Sequence, residues 1–146
     1  MTEVIASGII DADPETVWAG LRDFSGPARW VRNIATSEIE GNQAGDQVSA
    51  IRRLVFDNGN ELRERLIALS DHDRYFRYAV LPTEKLPISD YNGKVQVIPV
   101  VEGNRSLVHW CGNFSVSEAE QDEVCAWVRG IYQRDIEDMQ AYFARS

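Results

Sequence analysis

Basic residues are in the minority in this chain, with 15 lysines and arginines against 23 acids, for a formal charge of -8. That balance opposes the phosphate electrostatics on which nucleic-acid binding depends, and equally opposes docking on anionic membranes. Proline is scarce (five residues), and hydrophobic residues reach 44%, so a disordered or low-complexity chain is excluded. Long apolar runs are absent, and none approaches the roughly 20 residues of a membrane-spanning helix. The N-terminal MTEVIASGII has an acid where an export signal needs bases, which predicts a cytoplasmic protein without membrane insertion. Cysteine is limited to Cys111 and Cys125, without metal-ligand spacing, and the expectation is two free thiols. Zinc-site spacing, a glycine-rich phosphate loop and a nucleophile-elbow serine are all missing, so no metal or nucleotide cofactor is expected.

What is present is the pattern of one folded domain over residues 1–146. A first strand over residues 3–11 leads to Asp13-Pro14, where Asp13 can cap a helix and Pro14 suits its first turn. Val17, Trp18 and Leu21 continue at helical spacing. Ser25-Gly26-Pro27 then breaks the element before a second short helix bearing Trp30. From Ile34 to Phe114 the period changes to two, with turn residues near Gly41–Gly45, Asp57–Asn60, Asp71–Asp73, Pro82–Pro87 and Glu102–Asn104. Six further strands follow, joined by connections short enough for an antiparallel sheet with one face to bury.

The cover for that face is a long helix from near Glu118 to Phe143. On it Val124, Trp127, Val128, Ile131, Tyr132, Ile136, Met139 and Phe143 share one broad side expected to pack on the sheet. The class is therefore α+β, with helices on one face of an antiparallel sheet.

Strand alternation turns Phe76, Tyr78, Tyr91, Gly93, Trp110 and Gly112 inward, and His109 outward. In LRERLIALS the less charged set places Glu64 inside, where a carboxylate needs a partner. In the preceding strand Val48, Ala50, Arg52 and Leu54 alternate with Ser49, Ile51, Arg53 and Val55, and the pattern does not decide which arginine points in. Asp135 projects within the apolar arc of the long helix, a second candidate buried acid. Each of these also has a plain structural explanation: aromatics at period two form cores, and Arg52 with Glu64 makes an ordinary salt bridge. Together they describe apolar walls with a few convergent polar groups, as small-molecule cavities have.

These residues resemble the SRPBCC superfamily, which includes START domains, pollen-allergen-like proteins and polyketide cyclases. The likeness rests on Ile10-Asp11-Ala12-Asp13-Pro14-Glu15-Thr16-Val17-Trp18 with Leu21, Asp23, Phe24 and Trp30, then Gly45, Ala50-Ile51-Arg52-Arg53-Leu54 and Gly59. It continues through Glu64-Arg65-Leu66, Asp71, Tyr78, Pro87, Tyr91 and Trp110. The resemblance implies a helix-grip fold: a seven-stranded antiparallel β-sheet around a long C-terminal α-helix, with two short helices between strands 1 and 2. It also implies a ligand cavity between sheet and helix, and a homodimer as an option. Positions matching Arg52, Glu64 and Tyr91 lie at or near the cavity in similar proteins. The ligand-contacting set expected here is Arg52, Glu64, Phe76, Tyr78, Tyr91, Trp110, Trp127, Ile131 and Asp135. The expected ligand is small and mostly apolar: lipid-like, aromatic or polyketide-like. If the chain is instead a cyclase or dehydratase, Glu64, Tyr91 and Arg52 are the candidate catalytic groups.

Overall fold

The computed structural model describes residues 1–145. Strand β1 (Thr2–Ile10) is followed by helices α1 (Pro14–Leu21) and α2 (Pro27–Trp30). Strands β2 (Ile34–Ile39), β3 (Ile51–Phe56), β4 (Glu61–Ser70), β5 (Tyr75–Val80), β6 (Ser89–Val100) and β7 (Arg105–Ser115) come next, and helix α3 (Gln121–Phe143) closes the chain. The expected α+β helix-grip architecture is what the chain adopts. All seven strands form one antiparallel sheet in the order β1-β7-β6-β5-β4-β3-β2. After β2, each strand hydrogen-bonds to its predecessor. The two short helices carry the chain across the sheet to its other edge.

Local chemistry starts each element. Asp13 accepts from the Thr16 backbone N–H at 3.1 Å and from the Thr16 hydroxyl at 2.7 Å, capping α1, with Pro14 in its first turn. Strand β3 begins later than alternation predicts. Ser49 stands at φ 81°, its N–H bonding the Leu66 carbonyl while the Leu66 N–H bonds Ala50, so the chain kinks there and Val48 is turned to solvent.

Helix α3 is seated at its C-terminal end, where Gly8 of β1 and Gly20 of α1 let it approach closely. A Cβ at Gly8 would stand 2.6 Å from Ile136 Cγ2, and one at Gly20 2.5 Å from the Phe143 ring. Val124, Val128, Tyr132, Ile136, Met139 and Phe143 are buried as expected. Trp127 departs from the expectation: it is 44% exposed and does not pack on the sheet, because that part of the helix bridges a cavity. Among the described residues no helix is long and apolar enough to cross a membrane.

Candidate functional site

Between the concave face of the sheet and α3 lies a cavity of about 1160 Å3. Its walls come from α2 and the following turn (Pro27, Trp30, Val31), from β3 and β4 (Leu54, Phe56, Leu62), from the segment around Leu86 and Ile88, and from α3. Exposed residues Asn58, Lys85 and Trp127 also border it, and they mark its mouth. Eight of the nine expected contact residues line the cavity: Arg52, Glu64, Tyr78 and Tyr91, then Trp110, Trp127, Ile131 and Asp135. Phe76 does not. It packs in the core, edge-on to Phe24 with ring centroids 6.0 Å apart, and borders a small separate pocket with Leu21 and Val95.

The register of β3 and β4 resolves the arginine ambiguity. Arg52 stands opposite Glu64, whereas Arg53 stands opposite Arg63 on the outer face. Arg52 Nε donates to Glu64 Oε1 at 2.8 Å, Nη2 lies 2.7 Å from the same oxygen, and Nη1 donates to the Phe24 carbonyl at 3.2 Å. The guanidinium also lies over the Phe24 ring, 3.9 Å from its centroid. Both side chains are buried, so the pair is a neutralised, fixed part of the wall.

A chain of hydroxyls runs from the sheet to the helix. Trp110 Nε1 donates to Tyr78 Oη at 3.0 Å, Tyr78 Oη lies 2.8 Å from Tyr91 Oη, and Tyr91 in turn is bonded to Tyr132. Trp110 stacks on Tyr132, with centroids 4.6 Å apart at 15°. Burial pushes all three tyrosine hydroxyls well above their usual range, so they stay neutral and act as donors and acceptors. The hydrogen count is decisive. The three contacts use the indole N–H and two hydroxyl hydrogens, so one of the three O–H hydrogens is left over by the network.

Sequence reasoning overlooked Tyr132 as a site residue, and also the two glycines that make room for the network. Gly93 and Gly112 are paired across β6 and β7. A Cβ at Gly93 would stand 2.5 Å from the Tyr78 ring, and one at Gly112 2.0 Å from Tyr132 Oη. Small residues at inward positions of adjacent strands were the available signal. Gly112→Ala should therefore displace Tyr132 and cost about 1–3 kcal/mol. Urea midpoints would measure it, and an unchanged midpoint together with unchanged tyrosine absorbance would refute the packing argument.

Asp135 is the polar outlier. It lines the cavity, it is 8% exposed, and its Oδ1 is buried without a hydrogen-bond partner. Burial pushes its carboxyl up to about 7; Arg134 and Arg52 oppose the shift, while Asp138 and Glu64 add to it. Asp138, one turn on, is also buried but is satisfied by Arg32, whose backbone N–H reaches it at 3.1 Å and whose Nε lies 3.3 Å away.

A family model described as polyketide cyclase / dehydrase and lipid transport matches residues 1–144. The chain belongs to this family. Solved structures of similar shape include a protein from Bacillus thuringiensis, 27% identical over 97% of this chain and 98% of that one, with a TM-score of 0.85. The protein XoxI from Bacillus cereus is 29% identical, covering 98% and 96%, with a TM-score of 0.85. A protein from Nitrosospira multiformis is 26% identical over 98% and 97%, with a TM-score of 0.84. No curated protein matches the chain. A polyketide cyclase / dehydrase and lipid transport fold accounts for the sheet, the helix and the order of elements.

Proposed function

We propose that this member of the polyketide cyclase / dehydrase and lipid transport family holds a small, mostly apolar molecule in the cavity under α3. The observation that carries the reading is the cavity itself: about 1160 Å3 walled largely by aliphatic and aromatic side chains, with the tyrosine cluster and Asp135 in its lining. Apolar burial supplies affinity, and the polar groups orient one end. The net charge of -8 makes nucleic acid an unfavourable partner.

A second reading, cyclisation or dehydration of a polyketide-like chain, draws support from Asp135, a wall carboxyl whose pKa of about 7 suits proton transfer. Arg52 and Glu64 bond to each other, so they fit a positioning role better than a proton-carrying one. Loss of turnover with retained binding in Asp135→Asn would favour this reading.

Gly130 offers a direct test of the cavity. It lines the mouth on α3, and a Cβ there would meet nothing within 4 Å. Gly130→Ala should stabilise the helix by roughly 0.5–1 kcal/mol, whereas Gly130→Trp should fill the mouth without disturbing the fold. Native mass spectrometry of protein purified from its own host should show a bound small molecule in the wild type and little in Gly130→Trp. An equally loaded tryptophan variant would place the molecule elsewhere and defeat the proposal.

A further inference from the structure

Among the buried ionisable groups of the cavity region, Asp135 alone lacks a partner. Arg52 is matched by Glu64, and Asp138 by Arg32. A carboxylate enclosed among apolar neighbours is costly unless an opposite charge joins it, and the protein supplies none at Oδ1. Aromatic faces line the same cavity: Trp110 stacked on Tyr132 one turn before Asp135, Trp30 from α2, and Trp127 at the mouth. Such faces attract cations. The overall charge of -8 raises the local concentration of cations further.

We propose that the ligand of this cavity is an amphiphilic amine, an apolar body with one protonated nitrogen seated on the Asp135 carboxylate. The proposal rests on the cavity being a ligand site and specifies what it takes. An ammonium group completes the unmatched charge. A neutral alcohol supplies only a hydrogen bond, and an acid adds a like charge beside Asp135. The charged groups facing Asp135 are Arg52 on β3 and Glu64 on β4, which neutralise each other, and Arg134 and Asp138 on its own helix. The three tyrosines remain uncharged. Raising the pH through about 7 therefore ionises Asp135 and strengthens amine binding.

The test is calorimetric titration of the full chain with naphthylethylamine, naphthylethanol and naphthylacetate, which share one apolar body. At about pH 8 the amine should bind about ten- to a hundredfold more tightly than the alcohol. That preference should shrink at about pH 5.5 and vanish in Asp135→Asn, which should keep its affinity for the alcohol. Gly130→Trp should weaken all three. If alcohol and amine bind equally in the wild type, or the preference survives in Asp135→Asn, the amine anchor is wrong while the cavity reading stands. If none of the three binds, or Gly130→Trp binds them as well as the wild type, both readings fall. Asp135→Asn preserves shape and removes a buried charge, so a folding failure does not stand in the way.

Discussion

Arg52→Met with Glu64 left in place is expected to lower stability by about 3–5 kcal/mol, the largest single loss on the cavity wall. The reason is the charge left behind. Glu64 Oε1 takes both Nε at 2.8 Å and Nη2 at 2.7 Å, and both side chains are buried. Without the guanidinium the carboxylate is left buried with no opposite charge beside it. The same change also removes the stacking over Phe24 and the bond to its carbonyl. Replacing both members, Arg52→Met with Glu64→Leu, should recover most of the loss, since an apolar pair of similar volume needs no desolvation of charge. Denaturant unfolding of the wild type, the single variant and the double variant closes the comparison. A single variant costing less than about 1 kcal/mol would mean that water in the cavity already screens the pair.

The second large effect has the opposite sign. Asp135→Asn should stabilise the empty protein by up to about 2–4 kcal/mol at about pH 8, raising the melting temperature by roughly 6–12 °C, by a smaller amount at about pH 5, and should do almost nothing below about pH 4. Folding raises the Asp135 pKa from 3.8 to about 7, so the folded chain binds that proton more tightly than the unfolded one. The stabilisation that goes with the raised pKa is present below about 4 and is lost as pH climbs to about 7, above which the ionised carboxylate strains the fold. Asparagine keeps the shape and cannot ionise, so the gain should grow as pH rises from about 4 to about 7 and level off above that. Melting curves across that range decide it, and a gain independent of pH would point to some cause other than ionisation. A stabilising substitution at a cavity wall is what a retained functional group predicts: the carboxylate costs the empty protein stability that a ligand returns.

Much of this was legible before any coordinates. Asp13-Pro14, the change of period at Ile34 and the apolar arc from Val124 to Phe143 are local signals, because helix and strand are set by neighbours a few residues apart. Strand alternation also placed Tyr78, Tyr91 and Trp110 correctly, since a pleated strand with one buried face leaves little choice of register. Where alternation was interrupted it misled. The left-handed Ser49 resets the phase before β3 and turns Val48 outward; Phe76 is inward as the pattern has it, but alternation cannot tell cavity wall from core.

The opening absences still hold as sequence facts: few basic residues, few prolines, no long apolar run. Together with the two periods they determined that this chain builds an antiparallel sheet with one long helix on its buried face. Tertiary structure alone decided what the grip encloses. Tyr78 and Tyr91 are 13 residues apart and Tyr91 and Tyr132 are 41, so no local pattern couples them into one hydroxyl chain. The sheet and helix bring those hydroxyls together only because Gly93 and Gly112 leave space above the strands. The same holds for the charges. Arg52 is matched and Asp135 is not, because matching depends on which side chains face each other across the cavity. That is a matter of register and helix placement, and neither is written in the spacing of residues along the chain.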